Sequence, residues 1–145
     1  MWYYGDVEFR EEDIAEDHIG YVYLITRNDG KKYVGKKLFR FARTKKVKGK
    51  KKRFKVASDW QSYYGSNKDL VADVAKLGET AFRREILHLC KSKGICSYLE
   101  TKEIIFRDAL LSDSYYNGWL TAKISRSHLK DLINDHKEKQ EETIS

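Results

Sequence analysis

The residues best suited to chemistry lie close together in the first half of the chain. Tyr21, Tyr23 and Tyr33 are three of ten tyrosines, and a phenol packs, hydrogen-bonds and exchanges a proton. A free phenol titrates near ~10, so proton chemistry at neutral pH needs nearby positive charge to lower that value. Such charge is adjacent. Lys31 to Lys55 holds 14 of the 29 Lys and Arg residues and none of the 22 Asp and Glu. The whole chain carries +7, so everything outside that segment carries a net −7. A stretch this dense repels itself unless it is solvated or neutralised by a polyanion. Nucleic-acid phosphate fits. The side chains assigned to that contact are Lys32, Lys36, Lys37, Lys45, Lys46, Lys48, Lys50, Lys51, Lys52, Arg53 and Lys55. Phe39, Phe41 and Phe54 are interleaved with them, for anchoring to a core or stacking on bases. The plain alternative is a solvated lysine loop, but solubility does not require such segregation. A membrane surface is disfavoured because the segment has no helical apolar stripe. His88, Cys90 and Cys96 lack a CxxC pair and a clear fourth ligand, so no zinc site is expected.

These side chains need elements to hold them. At 145 residues and 41% apolar content, the chain suits one domain with its own core. No apolar run approaches the ~20 residues of a membrane span, and no signal peptide is read at the N-terminus. Two cysteines without a framework point to a reducing, intracellular compartment. Residues 1–18 read as an acidic arm. Tyr21 to Thr26 is rich in strand formers, Asn28-Asp29-Gly30 is a turn signal, and Lys32-Tyr33-Val34 is the return strand. The basic segment reads as a loop or irregular hairpin centred on Lys48-Gly49-Lys50. Ser66-Asn67-Lys68-Asp69 resembles a helix cap, opening a helix that stops at Gly78. A third strand is read across Ala81–Cys90, a helix across Ser97–Leu111, a turn near Asp113–Gly118, and a last helix across Ser127–Lys139. The fold class is α/β (α+β): a small three-stranded, mainly antiparallel sheet flanked by helices. The domain reading is an arm at 1–18, a core domain at 19–118 and a C-terminal helix and charged tail at 119–145.

Tyr21-Val22-Tyr23, a ten-residue step, then Tyr33-Val34-Gly35 resembles the paired signature of GIY-YIG nucleases. Tyr21 stands where the name-giving glycine would be, with Gly20 adjacent. Leu99-Glu100 followed by Ile104 is similar to the family's metal-binding glutamate helix, and Tyr116-Asn117 to its closing Tyr-Asn. The resemblance covers residues 19–118, and Trp60 to Leu70 looks most like the phage Seg-type branch, which includes homing endonucleases.

The resemblance implies a metal-dependent DNA endonuclease, homing-type or nicking, acting in the cytoplasm of a phage-infected cell. It implies Glu100 as ligand of Mg²⁺ or Mn²⁺, with Glu103 as fallback and no further cofactor. Tyr23 would be the general base and Tyr33 would orient water or phosphate. An arginine soon after the second motif would stabilise the transition state: Arg43 first, Arg40 second, with Arg53 not excluded. Asn117 would orient backbone or active-site groups. Structural readings compete with each role. The three tyrosines suit a core as well as a site. Asn117 suits a left-handed turn. Ser97-Tyr98-Leu99-Glu100 reads as a capping box, in which Glu100 serves the helix end. Against the last, the main apolar stripe is Tyr98, Leu99, Ile105, Phe106, Ala109 and Leu110, with Glu100 opposite it beside Ile104 and Leu111. The other functions compatible with these residues are a structure-selective or restriction-type nuclease, and a non-catalytic binding module using residues 31–55.

Overall fold

The computed structural model describes residues 1–144. It is α+β, with seven strands and three α-helices among those residues. The strands are β1 (Trp2–Tyr4), β2 (Val7–Phe9), β3 (Gly20–Arg27), β4 (Lys32–Leu38), β5 (Arg40–Val47), β6 (Lys50–Ala57) and β7 (Phe82–Cys90). The helices are α1 (Lys68–Leu77), α2 (Lys93–Phe106) and α3 (Lys130–Ile144). Five strands form one mixed sheet in the order β2-β1-β7-β3-β4, and β5-β6 form a separate ribbon.

The expected three-stranded sheet is present as β7-β3-β4, but two strands extend it. The N-terminal segment, read as an acidic arm, turns at Gly5 and lays β1 parallel to β7 with Trp2 opposite Arg84. Trp2 drives this. Its ring is buried, and its indole Nε1 donates to the Trp60 carbonyl at 2.8 Å. Three-residue strands carry too little alternation to be seen in a sequence, whereas a buried indole contributes about 2 kcal/mol or more of apolar transfer energy.

Both faces of the sheet are covered. Tyr21, Tyr23 and Ile25 of β3 point to one face, where they pack with Trp2, Phe39, Trp60, Leu70 of α1 and Tyr116. Val22 and Leu24 point to the other, where they meet Ile95, Cys96 and Ile104 of α2. This is the period-two alternation of a strand buried on both sides. Asn67 caps α1 by accepting from the Asp69 and Leu70 amides, as the Ser66–Asp69 pattern led one to expect.

Helix α2 differs from its sequence reading in start and in face. Ser92, not Ser97, caps it, accepting from the Ile95 amide. Ser97 and Glu100 therefore lie inside the helix, and Glu100 has no capping function. The apolar face is Ile95, Cys96 and Ile104, while Tyr98, Ile105, Phe106 and Leu110 stay exposed. Cys96, Glu100 and Ile104 are spaced i, i+4, i+8 and so share one side of the helix. That side faces the sheet.

Candidate active site

Strand β4 is the edge of the sheet, and the segment after α2 closes it. The Lys32 amide donates to the Ser114 carbonyl at 2.9 Å, and the Tyr116 amide donates to the Lys32 carbonyl at 2.8 Å. Asn117 then continues the ladder with its side chain. Its Oδ1 accepts from the Val34 amide at 3.0 Å, and its Nδ2 donates to the Val34 carbonyl at 2.9 Å. The carboxamide thus replaces a peptide group at Val34, and together with the Lys32 backbone contacts it holds the strand on both sides of Tyr33. Tyr116 is anchored in turn, its hydroxyl donating to Asp73 at 2.6 Å and accepting from Arg27 at 3.0 Å.

A cleft of about 270 Å³ opens between this edge and α2. Tyr33, Lys36, Ser66, Asn67, Glu100 and Asn117 supply its polar side chains, and Val34 and Ile104 are part of its wall. The Tyr33 hydroxyl stands 3.2 Å from Ser66 Oγ. Burial pushes its pKa up, the Ser66 hydrogen bond partly offsets this, and Tyr63 and the Glu100 charge add to the rise. Lys36 Nζ donates to Ser97 Oγ at 2.7 Å. Burial pushes the Glu100 carboxyl above the ordinary carboxylate value, against the opposing pull of Lys36. Glu103, the fallback ligand, is differently placed. It accepts from Arg107 Nε at 2.8 Å and pairs with His88 Nε2 at 2.8 Å. Burial raises its pKa, but those partners outweigh burial and hold the carboxyl low.

Tyr23 is not part of the cleft wall. Its side chain is fully buried and its hydroxyl lies 3.5 Å from that of Tyr63. Burial pushes its pKa well up, and the neighbouring Tyr63 and Tyr33 phenols push it further. A phenol placed there is poorly suited to take a proton from water. Its ring lies across Gly35, its cross-strand partner in the β3–β4 register. The space a Cβ would need at Gly35 is filled by Tyr23 Oη and Cζ. The glycine that closes the second tyrosine motif is therefore required by the tyrosine of the first. Tyr21 is likewise buried, its hydroxyl without a hydrogen-bond partner among the described residues.

The arginines proposed from sequence lie elsewhere. Arg40 and Arg43 are exposed on β5, with Arg43 over the Phe41 ring at 5.0 Å, and Arg53 is exposed on β6. No arginine is among the residues lining the cleft, where Lys36 is the cation. Of the other lysines assigned to nucleic acid, two make internal contacts. Lys32 Nζ donates to the Gly30 carbonyl at 3.1 Å, and Lys37 pairs with Asp59 at 2.7 Å. Lys45, Lys46, Lys48, Lys50, Lys51, Lys52 and Lys55 are exposed on the ribbon. Sequence reasoning missed Ser66 and Ser97 as partners of Tyr33 and Lys36. Short serine contacts across 33 and 61 residues leave no local pattern.

Among the described residues, no group of three or more His, Cys, Asp or Glu is arranged to hold a metal ion. Cys90 and Cys96 are free and buried in the core. The cleft instead offers one carboxylate, Glu100, which forms no hydrogen bond or ion pair among the described residues. That donor set fits a hard cation such as Mg²⁺, which keeps several waters and binds through one or two carboxylates and substrate phosphates. No helix among the described residues is long and apolar enough to cross a membrane.

The cleft, the two tyrosine motifs, the inward-facing glutamate and the Tyr-Asn clamp occupy one continuous stretch of fold. The family model described as "Putative endonuclease segE, GIY-YIG domain" matches residues 2–120 of this chain. No curated protein and no solved structure matches it. The match spans most of the chain, including the N-terminal hairpin, and the chain belongs to the Seg-type GIY-YIG endonuclease family.

Proposed function

We propose that this chain is a Mg²⁺- or Mn²⁺-dependent DNA endonuclease that hydrolyses a phosphodiester bond held in the cleft between β4 and α2. One observation carries the reading. An unpartnered carboxylate, a tyrosine hydroxyl and a lysine ammonium, each on a rigid element, line the same cleft. Membership of the Seg-type endonuclease family supports DNA as the substrate. The role proposed for it is homing or nicking in a phage-infected cell.

The roles follow from position. Glu100 would hold the divalent ion, which would supply charge neutralisation at the phosphate. Lys36, steadied by Ser97, binds a phosphate oxygen and stabilises the charge that builds there. Tyr33, rather than the buried Tyr23, accepts the proton of the attacking water in its ionised, phenolate form and is thereby returned to the neutral phenol, with Ser66 orienting its oxygen. The Glu100 charge is one cause of the raised Tyr33 pKa, so neutralising that charge eases ionisation of the phenol. Tyr23 fixes the strand that carries Tyr33, and Asn117 fixes its free edge. Arg40 and Arg43, outside the cleft, hold the DNA rather than the reacting phosphate. One cleft per chain acts on one strand at a time, so a nicked circle is the first product expected from a plasmid.

The test is supercoiled-plasmid cleavage with Mg²⁺, with Mn²⁺, with EDTA, and with Glu100→Ala. Conversion to open-circle or linear DNA by wild type with metal alone supports the reading. A wild-type chain that retards plasmid on a gel, yet cuts no DNA of varied sequence or structure with either metal, is a binding module instead.

A further inference from the structure

The chemistry of the cleft leaves the β5–β6 ribbon without a role beyond charge. Its geometry is regular. Lys48 and Gly49 both adopt left-handed backbone conformations, with φ of 52° and 76°, and form a tight two-residue turn whose twist suits a hairpin. Eight residues per strand at ~3.3 Å each make an arm about 26 Å long. The body holds it at the root, where the Ser58 amide donates to the Phe39 carbonyl at 2.9 Å and Ser58 Oγ donates to the Leu38 carbonyl at 2.6 Å. Residues 40–57 contain ten Lys and Arg and no Asp or Glu. The register sets Lys45 opposite Lys52 and Lys46 opposite Lys51. Like charges directly opposite destabilise a ladder, and a two-stranded hairpin is marginal alone. An arm of this kind suits a polyanion that neutralises it.

Its two faces differ. Pairing puts Phe41 with Val56, Arg43 with Phe54, Lys45 with Lys52 and Val47 with Lys50 on one face. The other face carries Thr44, Lys46, Lys51, Arg53 and Lys55 and no aromatic. The aromatic face adjoins the body at its root. Phe41 at its root lines a cavity of about 560 Å³ together with Lys36, and Lys36 also lines the cleft.

We infer that this ribbon is a reading arm that enters the major groove of B-form DNA with its Phe41–Phe54 face toward the bases. This rests on the DNA reading above and adds the groove and the face. The B-DNA major groove, about 12 Å wide, admits a two-stranded ribbon, whereas the minor groove at about 6 Å does not. The deep, narrow major groove of A-form RNA excludes it too. Arg43 meets guanine acceptors and Phe54 meets thymine methyl groups. Lysines of the opposite face reach the phosphates of the groove walls and set register without reading sequence.

The test is disulfide trapping on the full chain carrying Glu100→Gln, in EDTA, so that bound DNA stays intact. Duplexes carry a thiol tether either on cytosine N4, in the major groove, or on guanine N2, in the minor groove. Lys52→Cys probes the aromatic face and Lys51→Cys the opposite one. The chain without an added cysteine sets the background, its own Cys90 and Cys96 being buried. The expected result is capture of Lys52→Cys by the major-groove tether several-fold above background, loss of that capture with the minor-groove tether, and near-background capture of Lys51→Cys. Fluorescence anisotropy checks that each variant still binds. Minor-groove capture, stronger capture of Lys51→Cys, no capture despite retained binding, or equal affinity for an RNA duplex overturns the inference. No duplex binding at all removes the DNA reading and the arm with it. Major-groove capture of Lys52→Cys, with a wild-type chain that never cleaves DNA in either metal, leaves the arm standing and removes only the nuclease.

Discussion

Replacing Gly35 with alanine adds one methyl group at the point where β3 and β4 lock. Gly35 is buried, and its φ is outside the left-handed region, so alanine meets no backbone strain. The obstacle is Tyr23. An added Cβ overlaps its Oη and Cζ and lies 3.0 Å from its Cε1. The ring has little room to swing away, because Trp2, Tyr21, Tyr33 and Tyr63 surround it with centroids 5.5, 5.9, 6.2 and 5.8 Å distant. Overpacking of this kind costs typically 1–3 kcal/mol, here about 3. The lower entropy of an unfolded chain with alanine offsets about 0.7 kcal/mol. The net loss is about 2 kcal/mol, a Tm drop of about 6 °C for a domain of this size. Thermal and urea unfolding followed by circular dichroism measure it, in the wild-type background and in Tyr23→Leu, whose shorter side chain vacates the space. In the second background Gly35→Ala costs nothing or stabilises slightly. A wild-type-background change within about 0.5 kcal/mol, or an equal cost in both, would refute the lock between Tyr23 and Gly35.

Three other expectations follow from the same geometry. Glu100→Gln lowers cleavage by about 10²- to 10³-fold while gel-shift affinity for DNA in EDTA is retained. Because burial raises the Glu100 pKa in the folded state, wild type loses stability as pH rises through that raised value; the glutamine variant does not, so urea titrations at pH 4 and pH 8 show it gaining on wild type only at the higher pH. Tyr33 as the base requires a cleavage rate that still climbs with pH beyond neutrality, since its pKa is raised by burial, and Tyr33→Phe removes about 10²-fold or more. A rate plateau near pH 7 in single-turnover assays points to another base. Asn117→Leu leaves the Val34 amide and carbonyl without their partners, costing about 2 kcal/mol. Native-state hydrogen exchange at the Val34 amide accelerates accordingly, and unchanged protection there means that the carboxamide does not hold the edge.

Much of the site was legible before the structure because its signals are local. Aromatic and β-branched residues from Tyr21 to Thr26, then Asp29-Gly30, specify a hairpin with Tyr23 and Tyr33 on facing strands, and β3 and β4 form it. The Ser66-Asn67-Lys68-Asp69 pattern specifies a helix start, and in the structure Asn67 is the cap. The block of cations from Lys31 to Lys55 declares a polyanion contact by composition alone, although regular pairing of β5 with β6 against cross-strand repulsion is not expected from it.

What the amino-acid order determined by itself was therefore the hairpin, the motif spacing and the segregated charge, since each arises between residues a few positions apart. Only the tertiary structure decided which of these became wall and which became site. Two serines compete to start α2, and both give a sound helix; Ser92 prevails because that start sets Ile95, Cys96 and Ile104 against β3 and β4. The same packing turns Glu100 inward toward Tyr33 and leaves Tyr98 and Phe106 in water. Tyr23 and Tyr33 read alike in the sequence. One is sealed by Trp2 from a separate strand and by Tyr63 from 40 residues downstream, and the other is left open to the cleft, because burial is a sum over neighbours that no short window of sequence contains.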